Sequence, residues 1–335
     1  MKVSRILIIK LSSLGDVIHS LPTLTSIRRA YPEAYVAWIA GPKAAAIVTR
    51  HPGVDRVYEL GPSGERTTRL VPLPSLPAAV RALRGERFDM SLDLQGLFRT
   101  AALAFAIGAP QRVGFRGFQE GAFLLCNRRV IPEREDIHAV HGYLQFARYL
   151  GADDATVDFG LREEARDRIW ADDLLSAHPA GTPLVAIAPG ASSPRKRWTA
   201  QGFGKTAAAL RRRGAHVAVV GSAVDAESAA RICSASGAED LSGRTSLPQL
   251  AALLRRCALF IGNDSGPLHL AAAVGTPCVA TFGPTDPVRT GPFGNHTVLS
   301  GHGLSWAQEI EPNRVIKAAE AILGGSAELV HRQHE

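Results

Sequence analysis

The strongest constraint on this chain is its alternation of short apolar runs, glycine- or serine-rich turns and stretches of helical spacing. Residues 5–10 form a first apolar strand, and Ser12-Ser-Leu-Gly-Asp16 is its turn. Val17, Leu21, Leu24 and Ile27 then recur at helical spacing, with Pro22 predicting a kink or restart. Further strands are predicted at 34–39, 54–60, 90–94 and 112–115, and helices at 43–49, 78–83 and 138–150. Residues 61–77, rich in Gly, Pro, Ser and Thr, read as a loop. The alternation begins afresh with strands at 184–188, 216–220, 259–262 and 278–282. Helices are predicted there at 203–212, 227–234, 247–255, 267–274 and 312–323. Such alternation specifies α/β architecture with parallel, doubly wound sheets, here two of them. The expected division is a domain over 1–160, a polar linker over 161–183, a second domain over 184–325 and a tail over 326–335.

At 335 residues and 46% hydrophobic, the chain can bury two cores of ordinary size. Its net charge of +7 points to an anionic partner. An aromatic content of 6% argues against nucleic acid, because RNA-binding surfaces interleave rings with basic residues. Cys126, Cys233, Cys257 and Cys278 form no CxxC pair and read as buried thiols in a reducing compartment. The amino-terminal apolar run, Ile6 to Ile9, is cut by Lys10, which fits a buried strand better than a signal peptide. No run approaches the ~20 apolar residues needed to cross a bilayer, so a cytoplasmic protein is expected.

Four segments carry chemistry. In Gly262-Asn-Asp264-Ser265-Gly266-Pro267-Leu-His269, a strand ends and a helix begins. Ser265 can cap that helix and proline suits its first position. N–H groups at Ser265, Gly266 and Leu268 would then face an anion, with His269 one turn in. An ordinary capped helix explains the same residues. Ser12-Ser13-Leu14-Gly15-Asp16 has the same strand–turn–helix form, but its carboxylate would repel phosphate. Asp16 is therefore either a general base for an attacking hydroxyl or simply an acid at a helix start. Pro189-Gly-Ala-Ser-Ser-Pro-Arg195-Lys196-Arg197-Trp198 sets three cations after a strand, suited to a diphosphate or to solvent. Asp225, past the next strand, can grip ribose or cap a helix. His138 and His141 have possible metal spacing, but no carboxylate or cysteine set converges on them in sequence.

In order, SSLGDVIHSLPTL, PGASSPRKRW, GSAVDAE, LSGRTSLPQLAALL and GNDSGPLHLAAAVGTPCVATFGPTDP resemble the ADP-heptose:lipopolysaccharide heptosyltransferases of glycosyltransferase family nine. The similarity runs over nearly the whole chain. It implies a GT-B fold, two Rossmann-like domains facing across a cleft. It also implies an inverting transfer of heptose from ADP-heptose to the Kdo-bearing inner core, with no metal or other cofactor. Asp16 matches the family's general base, with Ser12, Ser13 and Gly15 beside it on the acceptor side. Lys196 matches the lysine on the donor phosphates. Asp264, Ser265, Gly266 and His269 match positions that hold heptose and diphosphate. Leu241, Gly243 and Thr245 fall where adenosine is expected, and Asp225 where ribose is.

SSLGDVIHSLP and Asp93-Leu-Gln-Gly96 look like the members that add the first heptose to Kdo. PRKRW and GSAVDAE look closer to those that add the second. Arg112, Arg116, Arg128 and Arg129 suit Kdo carboxylates and lipid A phosphates at the inner leaflet. A sugar-nucleotide epimerase of GT-B type and a non-catalytic nucleotide-sugar binding protein are the rival readings.

Overall fold

The computed structural model describes residues 3–61, 69–115, 119–131, 136–152, 156–179, 181–294 and 296–331. The chain forms two compact units, Met1–Arg162 and Glu163–Glu335. The boundary falls inside the polar stretch read as a linker. The helix Ala165–Leu175 within that stretch packs on the helix Leu247–Leu254 of the second unit.

The first unit contains strands β1 (Arg5–Ile9), β2 (Tyr35–Ala40), β3 (Arg56–Leu60), β4 (Leu70–Leu73), β5 (Met90–Asp93), β6 (Gln111–Phe115) and β7 (Arg128–Val130). They pair in parallel in the order β4-β3-β2-β1-β5-β6-β7. Ile6, Leu7, Ile8 and Ile9 are all inaccessible to solvent, as expected of a central strand covered on both faces. The second unit contains β8 (Leu184–Ala188), β9 (His216–Val219), β10 (Glu239–Asp240), β11 (Leu259–Asn263), β12 (Cys278–Phe282) and β13 (Thr297–Ser300). Their order is β10-β9-β8-β11-β12-β13, again all parallel. In each sheet the order reverses beside the first strand, between β1 and β5 and between β8 and β11. Loops leaving the carboxyl ends of strands at such a reversal are where open α/β sheets bind ligands.

Several elements depart from expectation for identifiable reasons. The helix Leu14–Ala30 runs through Pro22 as one element, and Pro22 is buried. Part of the loop expected over 61–77 is the parallel strand β4. Pro72 hides it in sequence, but β4 is an edge strand, where a missing N–H is tolerated. The helix Phe98–Ile107 was not expected, because FRTAALAFAI is apolar nearly all round and shows no stripe. Its amino-terminal neighbour Leu97 has no capping oxygen, and Thr100 Oγ1 accepts the Leu97 N–H instead, at 3.2 Å. The edge strands β7, β10 and β13, of 3, 2 and 4 residues, were too short to show a period.

Candidate functional site

At the carboxyl edge of the first sheet, the loops after β1 and β5 are tied together. Gln95 Oε1 accepts from the N–H groups of Leu11 and Ser12 at 3.0 and 3.1 Å. Asp93, 1% exposed, accepts from the Gln95 and Gly96 N–H groups at 3.0 and 3.1 Å and from Thr100 Oγ1 at 3.1 Å. Gly96 has φ +74°, a left-handed turn that glycine adopts without strain. Burial pushes the Asp93 carboxyl up to about 6, against the pull of those hydrogen bonds and of Lys10.

Lys10 is itself buried, with its ammonium 4.9 Å from the centre of the Tyr143 ring. Burial lowers its pKa, and the carboxylates of Asp16 and Asp93 oppose that. Burial and then the charge of Asp16 push the Tyr143 hydroxyl well up. Asp16 and Asp93 thus both act on Lys10, and Asp16 acts on Tyr143 as well. In sequence Lys10 reads only as an interruption of the apolar run. The usable signal was a cation directly after a fully buried strand, because a buried ammonium needs carboxylate partners.

Asp16 also caps its own helix. Its Oδ2 accepts from the Ser13 N–H at 3.1 Å and the Ser13 hydroxyl at 2.8 Å. Among the described residues nothing donates to Oδ1. The structural role and the availability of one oxygen for chemistry therefore coexist in one side chain. Ser12 and Ser13 are exposed and Gly15 is buried. Arg112 is not at this edge. It is level with Ser91 and Leu7 in the sheet, and its guanidinium donates to the carbonyls of Leu125 and Ala109 at 3.1 and 2.9 Å. Arg128 and Arg129 are exposed on the edge strand β7, and Arg116 lies outside the described residues. His138 caps the helix Ala139–Tyr149 and packs edge-on against His19.

The second sheet presents a different arrangement at the reversal between β8 and β11. Asp264, 5% exposed, receives the Lys196 ammonium at 2.6 Å and the Thr285 hydroxyl at 2.7 Å, both on Oδ2. His269 Nε2 lies 3.2 Å from Oδ1. Burial pushes the Asp264 carboxyl up, but hydrogen bonds from His269, Lys196 and Thr285 outweigh it and hold it well below the usual carboxylate range. Ser265 takes the cap position of the helix Gly266–Ala273 by backbone conformation alone. Its hydroxyl makes no capping bond and is buried without a hydrogen-bond partner. The Leu268 N–H is not free as expected, since it closes a turn onto Ser265 O at 3.1 Å. The N–H groups of Ser265 and Gly266 precede the first helical hydrogen bond and have no acceptor within the helix.

Asn263 explains why Lys196 reaches this point. Asn263 is fully buried; its Oδ1 accepts the Trp198 N–H at 2.8 Å and its Nδ2 donates to Pro189 O at 2.7 Å. One side chain therefore grips both ends of the 189–198 loop. Thr281 Oγ1 donates to the same Oδ1 at 2.9 Å, and Trp306 Nε1 donates to Arg195 O at 2.8 Å. Neither Asn263 nor Thr285 stood out in sequence, because single polar residues in a strand and a loop carry no pattern. Asp225 accepts from the Ser222 N–H and hydroxyl at 2.9 and 2.8 Å, repeating the Ser13–Asp16 geometry. It lies over Gly190, where a Cβ would sit 2.4 Å from Asp225 Oδ1.

Leu241, Gly243 and Thr245 leave the same edge after β10. Leu241 is buried, and the Gly243 N–H donates to Gly221 O at 2.9 Å, beside the Ser222–Asp225 turn. Lys196, Asp264, Ser265, Gly266 and His269 thus converge, with Asp225, Leu241, Gly243 and Thr245 further along that edge. A cation, a buried hydroxyl, free helix-start N–H groups and a fixed carboxylate together suit a phosphorylated sugar.

The profile of one protein family, Glycosyltransferase family 9 (heptosyltransferase), matches residues 77–318. The lipopolysaccharide core heptosyltransferase OpsX of Haemophilus influenzae is 27% identical over 86% of this chain and 81% of its own length. Lipopolysaccharide heptosyltransferase 1 of Pseudomonas aeruginosa is 31% identical over 89% and 83%. Lipopolysaccharide heptosyltransferase 2 of Salmonella typhimurium is 28% identical over 95% and 98%. Among solved structures, a glycosyl transferase family 9 protein from Veillonella parvula superposes with a TM-score of 0.83 at 25% identity, covering 96% of this chain and 98% of that one. The E. coli heptosyltransferase WaaC with ADP superposes at 0.75 and 25%, over 95% and 99%. With its two parallel-sheet units in the GT-B class, the chain belongs to glycosyltransferase family 9 and is a sugar-transferring enzyme.

Proposed function

We propose that this enzyme transfers heptose from ADP-heptose to the Kdo-bearing inner core of lipopolysaccharide, with inversion and without a metal. The observation that carries the reading is the group around Asp264, in which Lys196, Thr285 and His269 meet beside a helix start with a buried, unpartnered Ser265 hydroxyl. Lys196 and the N–H groups of Ser265 and Gly266 take the donor's diphosphate. The residues 241–245 and Asp225 take its nucleoside. Ser12, Ser13 and Gly15 hold the acceptor beside Asp16.

In the transfer step, Asp16 Oδ1 accepts the acceptor's hydroxyl proton. The freed oxygen attacks the anomeric carbon from the face opposite ADP. The carbon–oxygen bond to the diphosphate breaks, and ADP leaves with the electron pair. The leaving group's growing charge falls on Lys196 and the helix-start N–H groups, which stand where a metal would otherwise act. Support for the donor comes from the relatives, whose names specify lipopolysaccharide heptosyltransfer, and from WaaC, solved with ADP. Arg128 and Arg129, exposed on β7, are offered to an anionic acceptor or the anionic inner leaflet, with Arg128 also donating to Asn127 O at 3.1 Å, whereas the Arg112 guanidinium donates to two carbonyls. No helix among the described residues is long and apolar enough to cross a membrane, so contact with the leaflet would be peripheral.

The test is a mass-spectrometric assay of purified enzyme with ADP-heptose, offering Kdo-lipid A and its mono-heptosylated product separately, with and without EDTA. The expected result is addition of one heptose to the first acceptor, unchanged by EDTA. Addition only to the second acceptor would make this the enzyme of the following step. Release of free or epimerised sugar with neither acceptor modified would overturn the reading.

A further inference from the structure

At the opposite, amino edge of the second sheet lies a cluster that the transfer reaction does not use. His216 is the first residue of β9 and Glu239 the first of β10, and the two strands are paired with Glu239 level with Ala218. His178 reaches the same place from the turn after the helix Ala165–Leu175, where its N–H donates to Leu175 O at 3.0 Å. His216 Nε2 is 3.0 Å and His178 Nε2 is 3.6 Å from the same carboxylate oxygen, Glu239 Oε2. The two imidazole rings lie 3.6 Å apart, tilted by 31°. One ligand atom from each of the three side chains fits within a sphere of mutual distances below 4.8 Å.

We propose that His178, His216 and Glu239 form a binding site for a divalent transition-metal ion of the zinc type. A tetrahedral ion bound at ~2.0–2.1 Å sets its ligand atoms roughly 3.3 Å apart, and the spacings of 3.0 and 3.6 Å bracket that value. Two imidazole nitrogens with one carboxylate oxygen is a donor set that suits Zn²⁺, Co²⁺ or Ni²⁺ and is poor for Mg²⁺ or Ca²⁺, which prefer all-oxygen sites. All three side chains are partly exposed, at 25%, 19% and 29%, so an ion can enter and water can complete its shell. Both imidazoles bring a ring nitrogen to the same Glu239 carboxylate oxygen. Arg211, the nearby cation acting on His216, has its guanidinium on Ser236 O at 2.8 Å.

The site is structural. His216 and Val219 are the two ends of β9, so His216 lies about 10 Å along that strand from the donor edge. An ion there would fasten the 176–178 turn to the sheet immediately before β8 enters it.

The full-length enzyme, stripped with EDTA, would be titrated with Zn²⁺ by calorimetry and with Co²⁺ by visible absorption. Saturable binding of one equivalent is expected, with tetrahedral Co²⁺ bands and a rise in melting temperature on adding Zn²⁺. Mutating a residue that merely supports a metal ligand costs ~10–100-fold in affinity, so His178→Gln and Glu239→Gln should each cost at least ~100-fold. Both variants should also lose the Zn²⁺-dependent rise in melting temperature while keeping the metal-free value of the parent. His178 sits on a surface turn, so its variant tests binding without disturbing the sheet. No saturable Zn²⁺ binding by the parent, or binding that survives in either variant, overturns the site.

Discussion

Each sheet places an aspartate at the end of the strand across its point of reversal, Asp93 at the end of β5 and Asp264 just past β11, yet the two carboxyls are driven in opposite directions. Asp93 is surrounded by neutral donors, two N–H groups and a hydroxyl, with the charge of Lys10 a smaller influence, and burial wins. Asp264 has an ammonium at 2.6 Å together with His269 and Thr285, and the hydrogen bonds win. The lesson is that one topological position can hold either a protonatable strut or a fixed anion, according to whether a cation is delivered to it. In the second unit the 189–198 loop delivers it. In the first unit the residues after β1 bring Lys10 and the carboxylate of Asp16, and Lys10 acts on Asp93 only through its charge, without a direct hydrogen bond among the described residues.

The largest effect that would break this comparison is kinetic. Asp16→Asn should lower the transfer rate by ~10²–10⁴-fold while leaving ADP affinity unchanged, read by steady-state kinetics and calorimetry. A full rate would remove the base from the first edge. Next, Asp264→Ala leaves Lys196 and His269 without their anion and should destabilise the enzyme by about 2–4 kcal/mol in urea unfolding, below the fully buried case because Lys196 is partly exposed.

The pH dependence sharpens the contrast. A carboxyl whose pKa is raised on folding adds stability below its unfolded value and loses that stability as pH rises through the folded value, here from about 4 to about 6. Asp93→Asn keeps an acceptor for the Gln95 and Gly96 N–H groups and mimics the protonated acid. Its stability relative to the parent should therefore fall by about 2–3 kcal/mol between pH 7 and pH 4. Asp264 has the opposite sign, contributing above its unfolded pKa of about 4 and losing that contribution as pH falls further. A parallel trend at both positions would mean that the cation on Asp264 is not what separates them.

Lys196→Ala should weaken ADP binding by ~10–100-fold, the scale of one charged hydrogen bond, with binding read by calorimetry. The smallest effect expected is for Gln95→Ala. It unties the Leu11 and Ser12 N–H groups, which can turn to water, and should cost about 1 kcal/mol in stability with ADP affinity unaltered.

Much of this was legible in the chain itself. Apolar runs such as Arg5–Ile9 and Leu184–Ala188 announce central parallel strands because burial on both faces demands uninterrupted hydrophobes. The strand–turn–helix segments at 12–16 and 262–269 were visible because glycine, serine and proline mark turns and helix starts. What stayed hidden depends on distant partners. Gln95 acts on a loop over 80 positions away, and Asn263 on one more than 60 away, so neither leaves a local pattern. Lys10 shows the same limit, since its meaning comes from Asp93, Asp16 and Tyr143. Arg112 shows the opposite limit, because a basic residue reads alike whether it meets a ligand or its own carbonyls.

The grip of Asn263 on both Pro189 and Trp198 has a practical consequence for redesign. With its two feet anchored by one residue of the sheet, the intervening stretch is an exchangeable cassette. Libraries that randomise 191–195 while sparing Asn263, Pro189, Lys196 and Trp198 should yield folded enzymes, and replacing Asn263 should ruin every member of such a library at once.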